Sequence, residues 1–167
     1  QSYEQAFVWC TKAAQQGDAD AQYALGVAYM IGEGCEQSYE QAFAWYTKAA
    51  QQDLAEAQCN LGWAYENGLG CEQSYSKSVA WYSKAAKQGN ANAQYNVGIM
   101  YRDGKGCEQS YERMVQWHTK AAQQGLPRAQ WNLGCAYWKG DGCEQSYEQA
   151  CAWYTKAAQQ GHAGAQC

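Results

Sequence analysis

Branched aliphatic and phenylalanine side chains are nearly missing from this chain. Leu, Ile, Val and Phe together supply only fifteen of 167 residues, far below the level at which an ordinary core is assembled. A disordered chain would add a high net charge to that shortage, but 12 basic residues stand against 16 acidic ones and leave −4. Proline occurs once, at Pro127. No apolar run reaches the length of a membrane-spanning helix, and no basic segment followed by an apolar stretch marks a secretory leader. The acidic balance, with a pI near 5.1, excludes the basic footprint that nucleic acids and anionic membranes require. What replaces the aliphatics is 29 Ala, 14 Tyr and 8 Trp, together with 23 Gln and 17 Gly. A core built from these must consist of small residues and flat rings.

The chain repeats itself. QSYEQAFVWC at Gln1 returns as QSYEQAFAWY at Gln37, QSYSKSVAWY at Gln73, QSYERMVQWH at Gln109 and QSYEQACAWY at Gln145. The step is 36 residues, giving repeats at 1–36, 37–72, 73–108 and 109–144 and part of a fifth at 145–167. A period of this size marks a solenoid whose units bury their apolar faces only against neighbours. Positions are numbered 1 to 36 within each repeat, Gln1 being position 1.

Each repeat reads as two helices. Ser at position 2 caps the first, and Gln three residues later (Ser2/Gln5, Ser38/Gln41, Ser146/Gln149) predicts a reciprocal capping box, which Lys77 and Arg113 lose. Gly17, Gly89, Gly125 and Gly161 suit a left-handed stop after that helix; Asp53 in the same slot predicts a strained turn. The second helix is expected over positions 19–31, with Pro127 at its first turn, ending at Gly-x-Gly. At 100° per residue, Tyr3, Ala6, Phe7, Trp9, Ala13, Ala14 and their echoes share the buried arc of the first helix. Ala21, Leu25, Gly26, Ala28 and Tyr29 form the constant arc of the second. The opposite arc of the second helix varies: Tyr23, Val27, Met30, Cys59, Trp63, Tyr95, Ile99, Trp131 and Trp138 fall on it. These residues either fill gaps between repeats or form a contact face, since aromatic anchors enrich at interfaces.

With the pattern A-x-x-W-Y-x-K-A-A-x-Q-G-x-A-x-A-Q-x-x-L-G-x-x-Y-x-x-G-x-G on the page, the repeat resembles the SEL-one-like repeat family, a branch of the tetratricopeptide superfamily. In the second repeat the matching residues are Ala42, Trp45, Tyr46, Lys48, Ala49, Ala50, Gln52, Ala55, Ala57, Gln58, Leu61, Gly62, Tyr65, Gly68 and Gly70, and Asp53 departs from it. The resemblance implies an all-α, right-handed superhelical solenoid acting as a scaffold for protein–protein contacts. By analogy with tetratricopeptide relatives, the first helices line a concave face. That analogy assigns Lys12, Lys48, Lys84, Lys120 and Lys156, with Gln5, Gln41, Lys77, Arg113 and Gln149, to a polar stripe facing a partner. Two departures stand out. Cys35, Cys71, Cys107 and Cys143 occupy a position where the family usually has Val. Secreted cysteine-rich members of the family join positions 14 and 22 by disulfides, and this chain has Ala and Gln there.

Nine cysteines is an odd number, so at least one is unpaired within the chain. The four at position 35, spaced at a helix-packing distance of ~10 Å, are beyond disulfide reach of one another. They act either as small apolar fillers or as lateral thiols toward a partner. Cys135 and Cys151, eight residues either side of Cys143 on adjacent helices, are a candidate disulfide placed to face each other at one height, with two free thiols as the alternative. No metal set is present: there is no C-x-x-C, and His118 and His162 are the only histidines. His118 takes a tyrosine slot and reads as a buried ring. Glu36, Glu72, Glu108 and Glu144 precede helices, where the dipole favours a carboxylate. No residue set supports catalysis or a cofactor, so the chain is read as a non-enzyme.

The first residue is a helix start and the last lies early in a second helix, so an array that continues or stacks end to end is expected. The resulting reading is an interaction solenoid whose partner is a protein or further copies of itself. It leans to a structural array or filament in an extracellular or secreted setting, with an adaptor binding its partner in the groove as the alternative. No nucleic-acid partner, membrane insertion, metal or cofactor is expected.

Overall fold

The computed structural model describes residues 3–160. Among them the chain forms helices of 13 residues each, and no strand: α1 (Tyr3–Gln15), α2 (Ala19–Ile31), α3 (Tyr39–Gln51), α4 (Ala55–Asn67), α5 (Tyr75–Lys87), α6 (Ala91–Asp103), α7 (Tyr111–Gln123), α8 (Pro127–Lys139) and α9 (Tyr147–Gln159). This is the all-α solenoid of paired helices that the period implies. It divides into two compact bodies, residues 1–88 and 89–167. In the first, each of α1 to α5 packs on the next in order; in the second, α6 to α9 do the same.

Local chemistry sets the helix ends. Ser38, Ser74, Ser110 and Ser146 are extended, and each hydroxyl accepts from the N–H three residues on, satisfying one of the helix's orphan donors. The reciprocal half of the expected capping box is absent. Each serine N–H instead donates to the tyrosine carbonyl at position 29 of the preceding helix: Ser38 to Tyr29, Ser74 to Tyr65, Ser110 to Tyr101 and Ser146 to Tyr137, at 2.8–2.9 Å. With that donor already used, Lys77 and Arg113 lose nothing at position 5. The position-1 glutamines do parallel work. Gln37, Gln73, Gln109 and Gln145 each donate a side-chain N–H to a last-turn carbonyl of the helix before, at 2.7 Å. The stop between first and second helices is left-handed as expected at Gly17, Gly89 and Gly125, and Asp53 holds φ 63° in the same slot, where a Cβ is strained. Gly161, His162 and Cys167 lie outside the described residues.

Burial on the first helix is narrower than the predicted arc. Position 10 is sealed in the second and third repeats, with Tyr46 and Tyr82 at 1% and 0% exposure, and Ala42, Ala49 and Ala50 close the Tyr46 core with Ala57 and Leu61. Burial pushes the Tyr46 hydroxyl up to about 12. In the second body Ala121, Ala122, Ala129 and Leu133 do the same. Position 3 lies at the edge: Tyr39, Tyr111 and Tyr147 are exposed.

Each position-10 ring seats on the position-26 glycine of the repeat before it. A Cβ on Gly26 would stand 2.6 Å from the Tyr46 ring, on Gly62 2.7 Å from Tyr82, on Gly98 2.4 Å from His118 and on Gly134 2.6 Å from Tyr154. No side chain other than hydrogen fits there without moving the ring.

The sequence pattern missed the buried glutamines. Position 22 is buried as Gln22, Gln58, Gln94 and Gln130. In the first body Gln22 donates to the Ala14 carbonyl at 3.1 Å and accepts from Gln52 at 2.9 Å; Gln58 donates to Ala50 at 3.2 Å and accepts from Gln88 at 2.8 Å. In the second, Gln130 donates to Ala122 at 3.2 Å and accepts from Gln160 at 3.0 Å, while Gln94 accepts from Gln124 at 2.8 Å. Buried amides are tolerated because both ends are satisfied.

His118 takes the tyrosine seat, fully buried and stacked on Tyr95 with centroids 5.3 Å apart. Neither ring nitrogen makes a hydrogen bond of ordinary geometry. Burial holds its pKa down at about 4 from 6.5; the Tyr95 backbone opposes this and the charge of Arg102 adds to it.

Two outcomes follow for stability. Gly62→Ala lowers the urea midpoint by an amount worth about 1–3 kcal/mol, and far less in a Tyr82→Ala background; equal losses in both would show that the ring does not set the requirement. Between pH 6.5 and about 4 the unfolded chain binds a proton that the folded chain refuses at His118. Stability is therefore full above 6.5 and falls as pH drops through that window, by up to about 3 kcal/mol. Urea titrations of wild type and His118→Tyr across this range should diverge as pH falls, and parallel curves would contradict the assignment.

Candidate interaction faces

The first helices carry one recurring surface pair. Positions 9 and 12 are three residues apart and share a face, and each lysine ammonium lies over the tryptophan ring. The distances are 4.9 Å for Lys12 and Trp9, 3.9 Å for Lys48 and Trp45 and 4.1 Å for Lys84 and Trp81 in the first body. In the second they are 4.4 Å for Lys120 and Trp117 and 4.3 Å for Lys156 and Trp153. The ring quadrupole attracts the cation. The expectation that position 9 is buried needs correction: Trp9 is 68% exposed and the other four are half-buried. Trp81 and Trp153 touch the core while holding lysine on the other side. All five lysines are exposed. The remaining cations of the predicted stripe turn toward the preceding second helix. Lys77 lies 5.3 Å from the Tyr65 ring, and Arg113 lies 5.3 Å from the Tyr101 ring and donates to its hydroxyl. Gln5, Gln41 and Gln149 are exposed.

The variable arc of the second helices divides. Position 23 lies against the next repeat's position-10 ring: Tyr23 is 6.0 Å from Tyr46, Tyr95 stacks on His118, and Trp131 is 4.6 Å from Tyr154. Cys59 is buried at the same position. Val27 and Met30 pack on the Tyr46 core, and Ile99 is half-buried. Trp63 and Trp138 are exposed, Trp138 meeting Tyr147 edge-on at 4.8 Å.

Every described cysteine is a free thiol. The candidate bridge between Cys135 and Cys151 is not formed, and the two occupy different contacts. Cys135 Sγ accepts from the Tyr154 hydroxyl at 3.4 Å. Cys151 is at position 7, where Phe7 and Phe43 point edge-on at Tyr29 and Tyr65 of their own repeats. Cys35, Cys71, Cys107 and Cys143 are half-buried, and burial raises the pKa of each. Lys77 and Arg113 offset part of this at Cys71 and Cys107, and Asp141 adds to it at Cys143. Cys71 donates weakly to the Ala64 carbonyl. Among the described residues no group of three His, Cys, Asp or Glu side chains could hold a metal ion, and no helix is long and apolar enough to cross a membrane. Among the described cysteines, a brief maleimide pulse at neutral pH, followed by peptide mapping, should label exposed Cys151 first, the position-35 thiols more slowly and Cys59 last. Disulfide-linked Cys135 and Cys151 peptides in an unreduced digest would overturn this order.

The Sel1 repeat profile matches residues 1–18, 19–54, 55–90, 91–126 and 127–162. Its boundaries fall at the starts of the second helices, half a repeat out of phase with those drawn from Gln1, with the same period. No protein of curated function matches the sequence. Among solved structures, a Sel1 repeat protein from Oxalobacter formigenes is 34% identical with a TM-score of 0.92, aligning 98% of this chain with 65% of that one. A protective antigen of uropathogenic Escherichia coli, c5321, is 37% identical with a TM-score of 0.96, over 99% of this chain and 36% of its own. The chain thus spans less than two thirds of either relative. Helicobacter pylori cysteine rich protein B, at 21% identity and a TM-score of 0.61 over 76% of this chain and 91% of its own, shares the fold. Sel1 repeats are scaffolds for protein–protein contacts. With its repeats matched from end to end, and two relatives above 30% identity over nearly its full length, the chain belongs to the Sel1 repeat family.

Proposed function

We propose that the chain is a non-catalytic scaffold for protein contacts whose favoured partner is a further copy of itself. The observation that carries this reading is the lysine-over-tryptophan pair, present in every first helix while variation at position 23 is absorbed between repeats. Within each body the pair recurs once per repeat, which suits a partner with the same period. A second copy has that period, and its exposed Glu36, Glu72, Glu108 and Glu144 offer one carboxylate per repeat to one lysine per repeat. Repetition of such a contact builds an array or filament. The position-35 thiols would contribute lateral links only after the local structure opens. The second reading is an adaptor for a peptide or protein, supported by a shallow depression of about 440 Å³ lined by Gln5, Val8, Trp9 and Lys12.

Sedimentation velocity of the full chain at rising concentration tests the choice. Self-association should appear at low salt, weaken at high salt, persist with reductant and disappear in Lys48→Glu/Lys120→Glu. A wild-type chain that stays monomeric under all these conditions would refute self-association and leave the adaptor.

A further inference from the structure

The variable arc of the second helices also shapes a cavity. In the second body a hollow of about 200 Å³ opens between α6, α7 and α8. Met114, Cys135 and Ala136 form its apolar floor; Arg102, Lys139 and Asp141 stand at its rim. The corresponding residues of the first body have none of this chemistry: Met30 and Asn67 replace the two cations, Leu69 replaces the carboxylate, and the bulk of Trp63 stands where Cys135 leaves room. The hollow and its charges therefore arise together, from substitutions at positions 27, 30, 31 and 33.

The rim is asymmetric. Arg102 spends its Nε–H on Asp103 at 2.7 Å, which leaves the Nη edge of the guanidinium for a ligand. Lys139 is exposed and makes no ion pair among the described residues. Asp141 is half-buried and can accept an N–H. With Asp103 held between Arg102 and Lys105, the cations still outnumber the carboxylates, so the rim attracts an anion, and Asp141 favours one that carries an N–H donor beside its charge over a bare anion. The volume falls below that of ordinary small-molecule sites, with room for a single residue. We propose that this hollow binds a carboxylate on a short apolar stem, carried by a protein partner at its chain terminus or on an Asp or Glu side chain. The carboxylate meets Arg102 and Lys139, the stem lies on Met114 and Ala136, and a neighbouring peptide N–H donates to Asp141. This site does not depend on the lysine–tryptophan pairs, so either assignment can fail alone.

NMR titration of the full chain with three probes tests it: N-acetylvaline, N-acetylvalinamide and N-acetylglutamic acid α-amide. The expected result is saturable shifts at Met114 and Ala136 with one or both acids and none with the neutral amide. Binding by N-acetylvaline alone assigns a chain terminus; binding by the glutamyl probe alone assigns a side chain. Lys139→Gln should weaken the acid about tenfold, as loss of one charge-assisted hydrogen bond does. Cys135→Trp, which fills the hollow, should abolish binding; if that variant fails to fold, the exposed Lys139→Gln change decides alone. Equal binding of acid and amide, an unchanged affinity in Lys139→Gln, or no saturable shift up to about 50 mM would overturn the proposal.

Discussion

One contact recurs on which the others rest: an aromatic ring from each first helix lying on a glycine of the helix before it. With hydrogen at Gly26, Gly62, Gly98 and Gly134, the helices approach closely enough for Ala to serve as core. A methyl group there would push the ring out, and the alanines packed around it would lose their partners together. The shortage of Leu, Ile and Val is thus a consequence of how near the helices stand, not a weakness to be offset elsewhere. His118 obeys the same geometry with a different ring, keeping the shape of the seat while leaving two nitrogens without ordinary hydrogen bonds.

Amides join what the rings bring together. Where the family resemblance would place a disulfide between positions 14 and 22, Gln22, Gln58 and Gln130 of this chain reach the position-14 carbonyl and hand their own oxygen to a glutamine of the next repeat. A neutral side chain with both ends occupied can be buried between helices without the penalty of a charge. The glutamine-rich composition has a structural role for this reason, and the repeated Gln at position 1, outside any helix, has another as a brace on the preceding helix.

Much of the fold was legible in the letters. The 36-residue period located the helices, Pro127 and the Gly-x-Gly pairs bounded the second ones, and Asp53 announced its own unusual backbone. What a one-dimensional pattern could not separate was which side of an amphipathic ring faces out. Trp45 and Tyr46 are neighbours in sequence and both aromatic, yet Tyr46 is sealed while Trp45 carries a lysine. Helical angle alone places both on one arc; only the identity of the facing residue, a glycine for one and a lysine for the other, tells them apart. The capping box failed for a similar reason, since its donor had a backbone acceptor in another helix that no local motif reveals. The candidate Cys135–Cys151 bridge is not formed: α9 presents the Tyr154 hydroxyl to Cys135, a partner that equal sequence distance from a turn does not reveal.

The serine-to-tyrosine backbone bonds carry a mechanical consequence. Each ties the start of one repeat's first helix to the last turns of the preceding second helix, around the glycine-rich turn. Tension along the backbone would reach that bond before it straightened the turn, so the turn residues between repeats are shielded from load. The left-handed turns between first and second helices are spanned as well, by the position-22 amides on the position-14 carbonyls, so within each body neither kind of turn opens until a hydrogen bond across it has broken.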